Sequence, residues 1–320
     1  MSRTSHVITV DGVTPEWLTA ALRRSGELPL GHVRSVERAP NAAFNSAVTH
    51  LTVTCAPDAP PLAPTRLLFK GSLTEDWAIQ AAASEVGFYE LLAGRPEPLP
   101  IVPRCYDAAY DGESGTSHLL LLDLSRSHRQ PLTRDQLIAG DSVPSPEHLD
   151  WVVEAMARFH AYWWQDTRLG QGVGMVSEWC RDAAHYRRLV ERREREWAAF
   201  IADVGSWFPA DVRVLYEHTL ARLPRLWPRY LEPRVTTLTN LTLIHGDCYF
   251  SNVLVPRNAG SGTTTLIDFQ DIGADVGAGD LVNLCATFWT PAQRRDGGRE
   301  VRVLRRYHAG LLEHGVAGYS

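Results

Sequence analysis

Lysine is almost missing from this chain of 320 residues: of its 32 basic side chains, every one except Lys70 is an arginine. Cysteine is sparse as well. Cys55, Cys105, Cys180, Cys248 and Cys285 are scattered, odd in number and never in a C-x-x-C pair. That excludes a disulfide framework and a zinc site, and it predicts reduced thiols in a cytoplasmic protein. Long apolar runs are lacking too. The longest are of the order of Leu119–Leu122, too short to cross a bilayer. The N-terminal segment has no apolar core of the kind a secretory signal needs. No stretch gathers arginine into a patch, and 32 basic against 37 acidic residues leave a net charge of −5. Neither nucleic acid nor a membrane is therefore expected as a partner. What remains is ordinary globular usage, 44% hydrophobic and 22% charged, in a chain long enough for two lobes sharing a cleft.

The local patterns divide near residue 124. Thr14-Pro15-Glu16 reads as a helix start, with a Thr cap, Pro in the first turn and an acid at the positive end. Residues 33–39, 47–55 and 66–73 are rich in β-branched and apolar residues and predict strands. The proline-rich stretch 56–64 separates the last two. Residues 75–93 predict a helix closed by Gly94, and 104–110 with 117–124 predict a hairpin. From about 146 to 230 helical spacing dominates, with aromatic residues at Trp151, Phe159, Tyr162, Trp163, Trp179, Trp197 and Phe200. These predict a helical core, and some of the rings are candidates for a pocket lining. The charged run 187–197 predicts a solvated helix face.

One constellation carries chemistry. His245-Gly246-Asp247 is followed by Asn252 and then by Asp268, in Ile267-Asp268-Phe269, at the end of a strand-like run. From this chain's own composition, H-G-D-x4-N is expected by chance about 0.001 times. Phosphoryl transfer to a hydroxyl needs a carboxylate that orients the nucleophile and accepts its proton. It also needs Mg²⁺ on the nucleotide phosphates, and Mg²⁺ selects hard oxygen ligands. Asp247 is the candidate base, with Asn252 and Asp268 as candidate metal ligands. The competing structural reading makes Asp247 and Asn252 turn formers and Asp268 a strand cap.

These motifs resemble those of the aminoglycoside phosphotransferase and choline-kinase-like superfamily of small-molecule kinases. HGDCYFSN is similar to its catalytic loop, and IDFQ, with Gln270, looks most like the ecdysteroid-kinase-like variant of its metal-binding segment. RFHAYWW, 158–164, resembles the helix preceding that loop. LLLLDLS, 119–125, resembles the lobe-connecting segment, whose backbone at Leu122 and Leu124 would bond adenine. The resemblance implies an α+β, two-lobed protein-kinase-like fold: residues 1–124 as a β-rich nucleotide-binding lobe and 125–320 as a helical catalytic and substrate-binding lobe. It also implies ATP as phosphate donor, Mg²⁺ as cofactor, and a hydroxylated small molecule as acceptor, such as an aminoglycoside-like antibiotic or another natural product. In such folds a strand Lys holds the phosphates and pairs with a helix Glu. Lys70 and Glu85 fill these positions, with Glu90 as the competing acid.

Two features depart from the pattern. The loop 40–46 contains no glycine, so phosphate cover there would come from backbone amides helped by Asn45 and Ser46. Only forty residues follow Asp280, which predicts a C-terminal part shortened relative to the family. Asp247, Asp268, Asp271, Asp275 and Asp280 put five carboxylates within a short stretch, which would suit a cationic acceptor or equally serve as helix caps and solvated loop charge. A choline-type metabolic kinase and a catalytically inactive nucleotide-binding regulator are the alternatives. A protein kinase is disfavoured by the lack of H-R-D, D-F-G and A-P-E sequences.

Overall fold

The computed structural model describes residues 6–42, 47–71, 75–140, 142–171, 176–258, 260 and 262–319. Helix α1 (Pro15–Arg24) starts where predicted, with the Thr14 hydroxyl accepting the Trp17 amide at 3.2 Å. Strands β1 (Val33–Ala42), β2 (Ala47–Cys55) and β3 (Arg66–Gly71) follow, then helix α2 (Asp76–Ala93) and the hairpin β4 (Cys105–Asp111) and β5 (Thr116–Leu122). The strands form one antiparallel sheet in the order β1-β2-β3-β5-β4. The last strand stops two residues early for a local reason: the Asp123 carboxylate accepts the Ser125 amide at 2.9 Å, turning the chain out of the sheet.

Strand alternation sorts the side chains of this sheet. Leu67, Phe69 and Leu120 point to one face and pack with Leu18, Ala21 and Leu22 of α1. Leu68, Leu119 and Leu121 point to the other, against Val86, Phe88 and Tyr89 of α2. Full burial of each large side chain is worth about 1.5–3 kcal/mol, so both helices are held firmly to the sheet.

The remainder is mainly helical. It contains β6 (His128–Arg129), α3 (Arg134–Ala139), α4 (Pro146–Tyr162), α5 (Ala183–Val204), α6 (Ala210–Leu220) and α7 (Glu232–Thr237). After these come β7 (Thr242–Ile244), β8 (Val253–Pro256), β9 (Thr265–Leu266), β10 (Gly273–Asp275), α8 (Ala278–Cys285), α9 (Pro291–Arg295) and α10 (Arg299–Glu313). The short strands pair as β10-β7 and β6-β8-β9, which brings residues 245–252 beside residue 268. Helix α4 runs through the core on Leu149, Val152, Val153, Met156 and Phe159, and α10 supplies Val303, Tyr307 and Leu311 to the same core. The charged run on α5 lies at the surface, as its composition predicts. None of the five cysteines is in a disulfide, and no described helix is long and apolar enough to cross a membrane.

Candidate active site

A cleft of about 940 Å³ is lined by Lys70, Glu85, Leu122, Leu124, Asp247, Asn252 and Asp268. Every sequence-predicted site residue within the described chain is therefore in one place. Asn45 and Ser46 lie outside the described residues. None of the aromatic residues singled out between 151 and 200 lines this cleft. Phe159 and Trp163 are core, and the pocket-lining alternative fails for these rings.

Lys70 alternates with Phe69 on β3 and so faces α2. Its ammonium donates to Glu85 Oε2 at 2.5 Å and to Asp268 Oδ1 at 2.6 Å. Glu85 is 2% exposed, whereas Glu90 stands on the outer face of the helix, which removes the competing acid. Burial opposes the charge on Lys70, but the Glu85 and Asp268 carboxylates outweigh it and raise the lysine pKa. The ammonium stays charged.

The catalytic-loop candidate follows β7 and is pinned from below. Asp280, in the first turn of α8, is fully buried. Its Oδ2 accepts the His245 amide at 2.7 Å and His160 Nε2 at 3.0 Å, and its Oδ1 accepts the Gly246 amide at 2.9 Å. Burial pushes the Asp280 carboxyl up, yet these bonds and the neighbouring histidines bring it below the ordinary value. Tyr307 extends the brace to α10, its hydroxyl 2.7 Å from His160 Nδ1. Gly246 has φ +82°, and a Cβ there would meet the Asp271 carbonyl at 2.0 Å, so glycine is required.

Asp247 leaves this anchored turn. Asn252 Nδ2 donates to its carboxylate at 3.0 Å and to its carbonyl at 2.9 Å, closing the loop. Burial, and then the Asp271 and Asp268 charges, raise the Asp247 pKa, with His245 acting the other way. Asp271 is raised by burial and by Asp268. Asp268 sits at φ +71°, a left-handed conformation that is strained for a non-glycine residue, and Gln270 donates to its Oδ1 at 2.6 Å.

Among the described residues no group of three His, Cys, Asp or Glu is placed to hold a metal. The oxygens here are of another kind. With Asn252 Nδ2 turned to Asp247, its amide oxygen is left as an acceptor in the cleft that Asp268 also lines. An amide and a carboxylate, completed by phosphate oxygens and water, form a donor set that suits Mg²⁺. The mutual repulsion among Asp247, Asp268 and Asp271 marks negative charge that a divalent cation would offset.

Sequence reasoning passed over His160 and Tyr307 as site supports. The 158–164 motif held a signal for the first; nothing local marked the second. It also counted five carboxylates as one pool. The structure divides them. Asp280 is spent on the loop and Asp268 on Lys70 and Gln270. Asp275 is spent on Ser177, on Cys180 Sγ at 3.0 Å and on the Val276 amide at 2.6 Å.

A model of the phosphotransferase enzyme family matches residues 63–316. No curated protein sequence matches the chain. Among solved structures, a point mutant of aminoglycoside 2'-phosphotransferase-IIIa in complex with GDP is 15% identical with a TM-score of 0.50. It covers 93% of this chain and 82% of its own. Macrolide 2'-phosphotransferase MphH from Brachybacterium faecium is 14% identical with a TM-score of 0.49, covering 95% of this chain and 84% of its own. The first of these supports the kinase-like α+β fold, and the family match spans most of the chain. The chain belongs to the phosphotransferase enzyme family and is a small-molecule kinase.

Proposed function

We propose that the protein is an ATP-dependent O-phosphotransferase that moves the γ-phosphate to a hydroxyl of a small molecule. The observation that carries this is the convergence of Lys70, Glu85, Asp247, Asn252 and Asp268 on one cleft. The two lobes, 1–124 and 125–320, would close on the nucleotide. Adenine would lie on the apolar wall of Leu68, Leu121 and Ile267, bonding the backbone at Leu122 and Leu124. The Leu122 amide already donates to the Arg104 carbonyl at 2.9 Å, so its contribution would be the carbonyl. Lys70 would hold phosphate oxygens, and Asn45 and Ser46 are the residues we propose for phosphate cover. Asn252 and Asp268 would hold Mg²⁺, which supplies positive charge to the phosphates during transfer. Asp247, fixed by Asn252, would orient the acceptor hydroxyl and take its proton. The GDP bound in the similar 2'-phosphotransferase structure supports a nucleoside triphosphate donor.

The test is release of ADP from Mg²⁺-ATP, or of GDP from Mg²⁺-GTP, across hydroxylated antibiotics and amino alcohols, beside calorimetric nucleotide titration. Acceptor-dependent ADP release supports the reading. Nucleotide binding without turnover on any acceptor would instead favour an inactive regulator, and turnover on choline alone a metabolic kinase.

A further inference from the structure

The surroundings of Asp247 bear on the acceptor's chemical class, an inference that rests on the phosphotransferase reading above. A polycation bound through its ammonium groups needs several carboxylates with charge to spare. Of the five between 247 and 280, Asp268 is paired with the Lys70 ammonium, Asp275 is bonded to Ser177, Cys180 and the Val276 amide and does not line the cleft, and Asp280 is sealed in the core. Only Asp247 and Asp271 remain. Two other acids of the cleft are also matched. Glu85 is bonded to Lys70, and Asp123 accepts Arg66 at 3.1 Å and lies 3.0 Å from His50 Nδ1. Arg257 adds positive charge to the lining.

Beside Asp247 the wall is aromatic. Tyr249 follows it by two residues and meets the Phe288 ring edge-on, centroids 5.2 Å apart at 76°. Both rings are half-buried and line the cleft, together with Leu137 and Ile138 of α3. Ile138 is 65% exposed, an apolar side chain left at the mouth. Burial, with Asp247 and Asp271 nearby, raises the Tyr249 phenol, in keeping with a ring standing next to the base. Such a wall gives its energy to flat apolar surface and little to dispersed charge.

We infer that the acceptor is a hydroxylated compound with at most one positive charge, its apolar ring face laid against Tyr249 and Phe288 and its hydroxyl directed to Asp247. In the transfer, the acceptor oxygen bonds the γ-phosphorus and the bond from that phosphorus to the β,γ-bridging oxygen breaks. ADP leaves, and the hydroxyl proton passes to Asp247 and then to solvent.

The experiment uses the full chain with Mg²⁺-ATP and three probes: chloramphenicol, neutral; erythromycin, one amine on a large apolar ring; and kanamycin, a polycation. The expected result is kcat/KM at least about tenfold higher for one of the first two than for kanamycin. Its KM should change less than about twofold on raising salt across the physiological range, since little of the contact is ionic. Phe288→Ala should raise that KM about tenfold, while Phe288→Leu, which keeps apolar bulk, should stay within about threefold. Preferential turnover of kanamycin, with KM climbing in salt, overturns the acceptor class and leaves the phosphotransferase reading standing. If no probe releases ADP, the same compounds are titrated calorimetrically into protein holding a non-hydrolysable ATP analogue. Binding of chloramphenicol or erythromycin that is lost in Phe288→Ala sustains the acceptor class while the phosphotransferase reading falls. Absence of that binding, or binding by kanamycin alone, overturns the class.

Discussion

Phe69 and Lys70 are neighbours on β3, and the pleat sends them to opposite faces of the same sheet. On the α1 face, the Phe69 ring stacks on His118 with centroids 5.7 Å apart. His118 Nε2 lies 3.0 Å from Asp107, which also accepts Arg24 at 3.1 Å, and the Ile8 amide donates to His118 Nδ1 at 3.3 Å. On the α2 face, Lys70 holds Glu85 and Asp268. Both networks pair a nitrogen-bearing side chain with carboxylate, His118 with Asp107 and Lys70 with Glu85 and Asp268. They differ in access. The His118 side chain has no exposure, whereas those of Lys70 and Asp268 keep 12% and 25%. A sealed network fixes the fold by tying residues 8, 24, 107 and 118 together. An open one of similar parts is placed to exchange a protein partner for a ligand.

This contrast can be broken from either side. The largest effect is expected on the open face. Asp268→Ala should abolish Mg²⁺-dependent nucleotide binding and turnover together, measured by calorimetry beside ADP release. Unchanged Mg²⁺-ATP affinity would remove Asp268 from the metal site. Asp247→Asn, nearly isosteric, should keep nucleotide affinity and lower turnover by about 10²–10⁴. Equal turnover would sink its assignment as base. Lys70→Arg should fold with an unchanged melting temperature yet transfer at least about tenfold more slowly, because a planar fork does not replace a compact ammonium. Full activity there would make the solitary lysine an accident of composition.

On the sealed face the outcome should be reversed. His118→Ala should cost about 1–3 kcal/mol in denaturant unfolding, with KM for ATP unchanged. Asp107 adds a pH signature. Burial pushes its carboxyl up, but the bonds from His118 and Arg24 win and hold it below the ordinary value. A depressed folded pKa means stability that is present above the unfolded value and lost as pH falls toward the folded one. Acid unfolding of the His118→Ala protein should therefore be shallower than that of the parent. An altered KM for ATP would mean that the two faces are coupled and the contrast is false. The smallest effect is at the edge: Thr14→Ala should remove about 1 kcal/mol through the lost α1 cap.

Much of this was legible in the sequence because it is local. The strands and helices of the first 124 residues follow alternation, capping and proline placement, but β1 runs through Ala42, three residues into the expected loop, by pairing with β2, and β5 stops two residues short. Lys70 stood out because arginine supplies every other basic charge, and Glu85 because its neighbours are apolar at helical spacing. What was hidden depends on distance along the chain. Tyr307 reaches His160 across 147 positions, and no periodicity marks it. Spacing picked out Asp247 and Asp268 but said nothing of the partners of the five aspartates; only the folded chain shows Asp280 spent on two amides. Tyr249 and Phe288 likewise meet only in the folded chain, 39 positions apart in sequence.

The brace from Tyr307 through His160 to Asp280 also bears on how the protein is made. Synthesis runs from residue 245 to residue 307, so the loop bearing Asp247 emerges before the helix that steadies the histidine beneath it. Until α10 docks on α4, His160 lacks its second partner, and the carboxylate that gathers the His245 and Gly246 amides is only half supported. A growing chain can thus have its five-stranded sheet in place while the loop bearing Asp247 is still unbraced. On the proposed role of Asp247, competence for transfer would then wait until α10 completes the core.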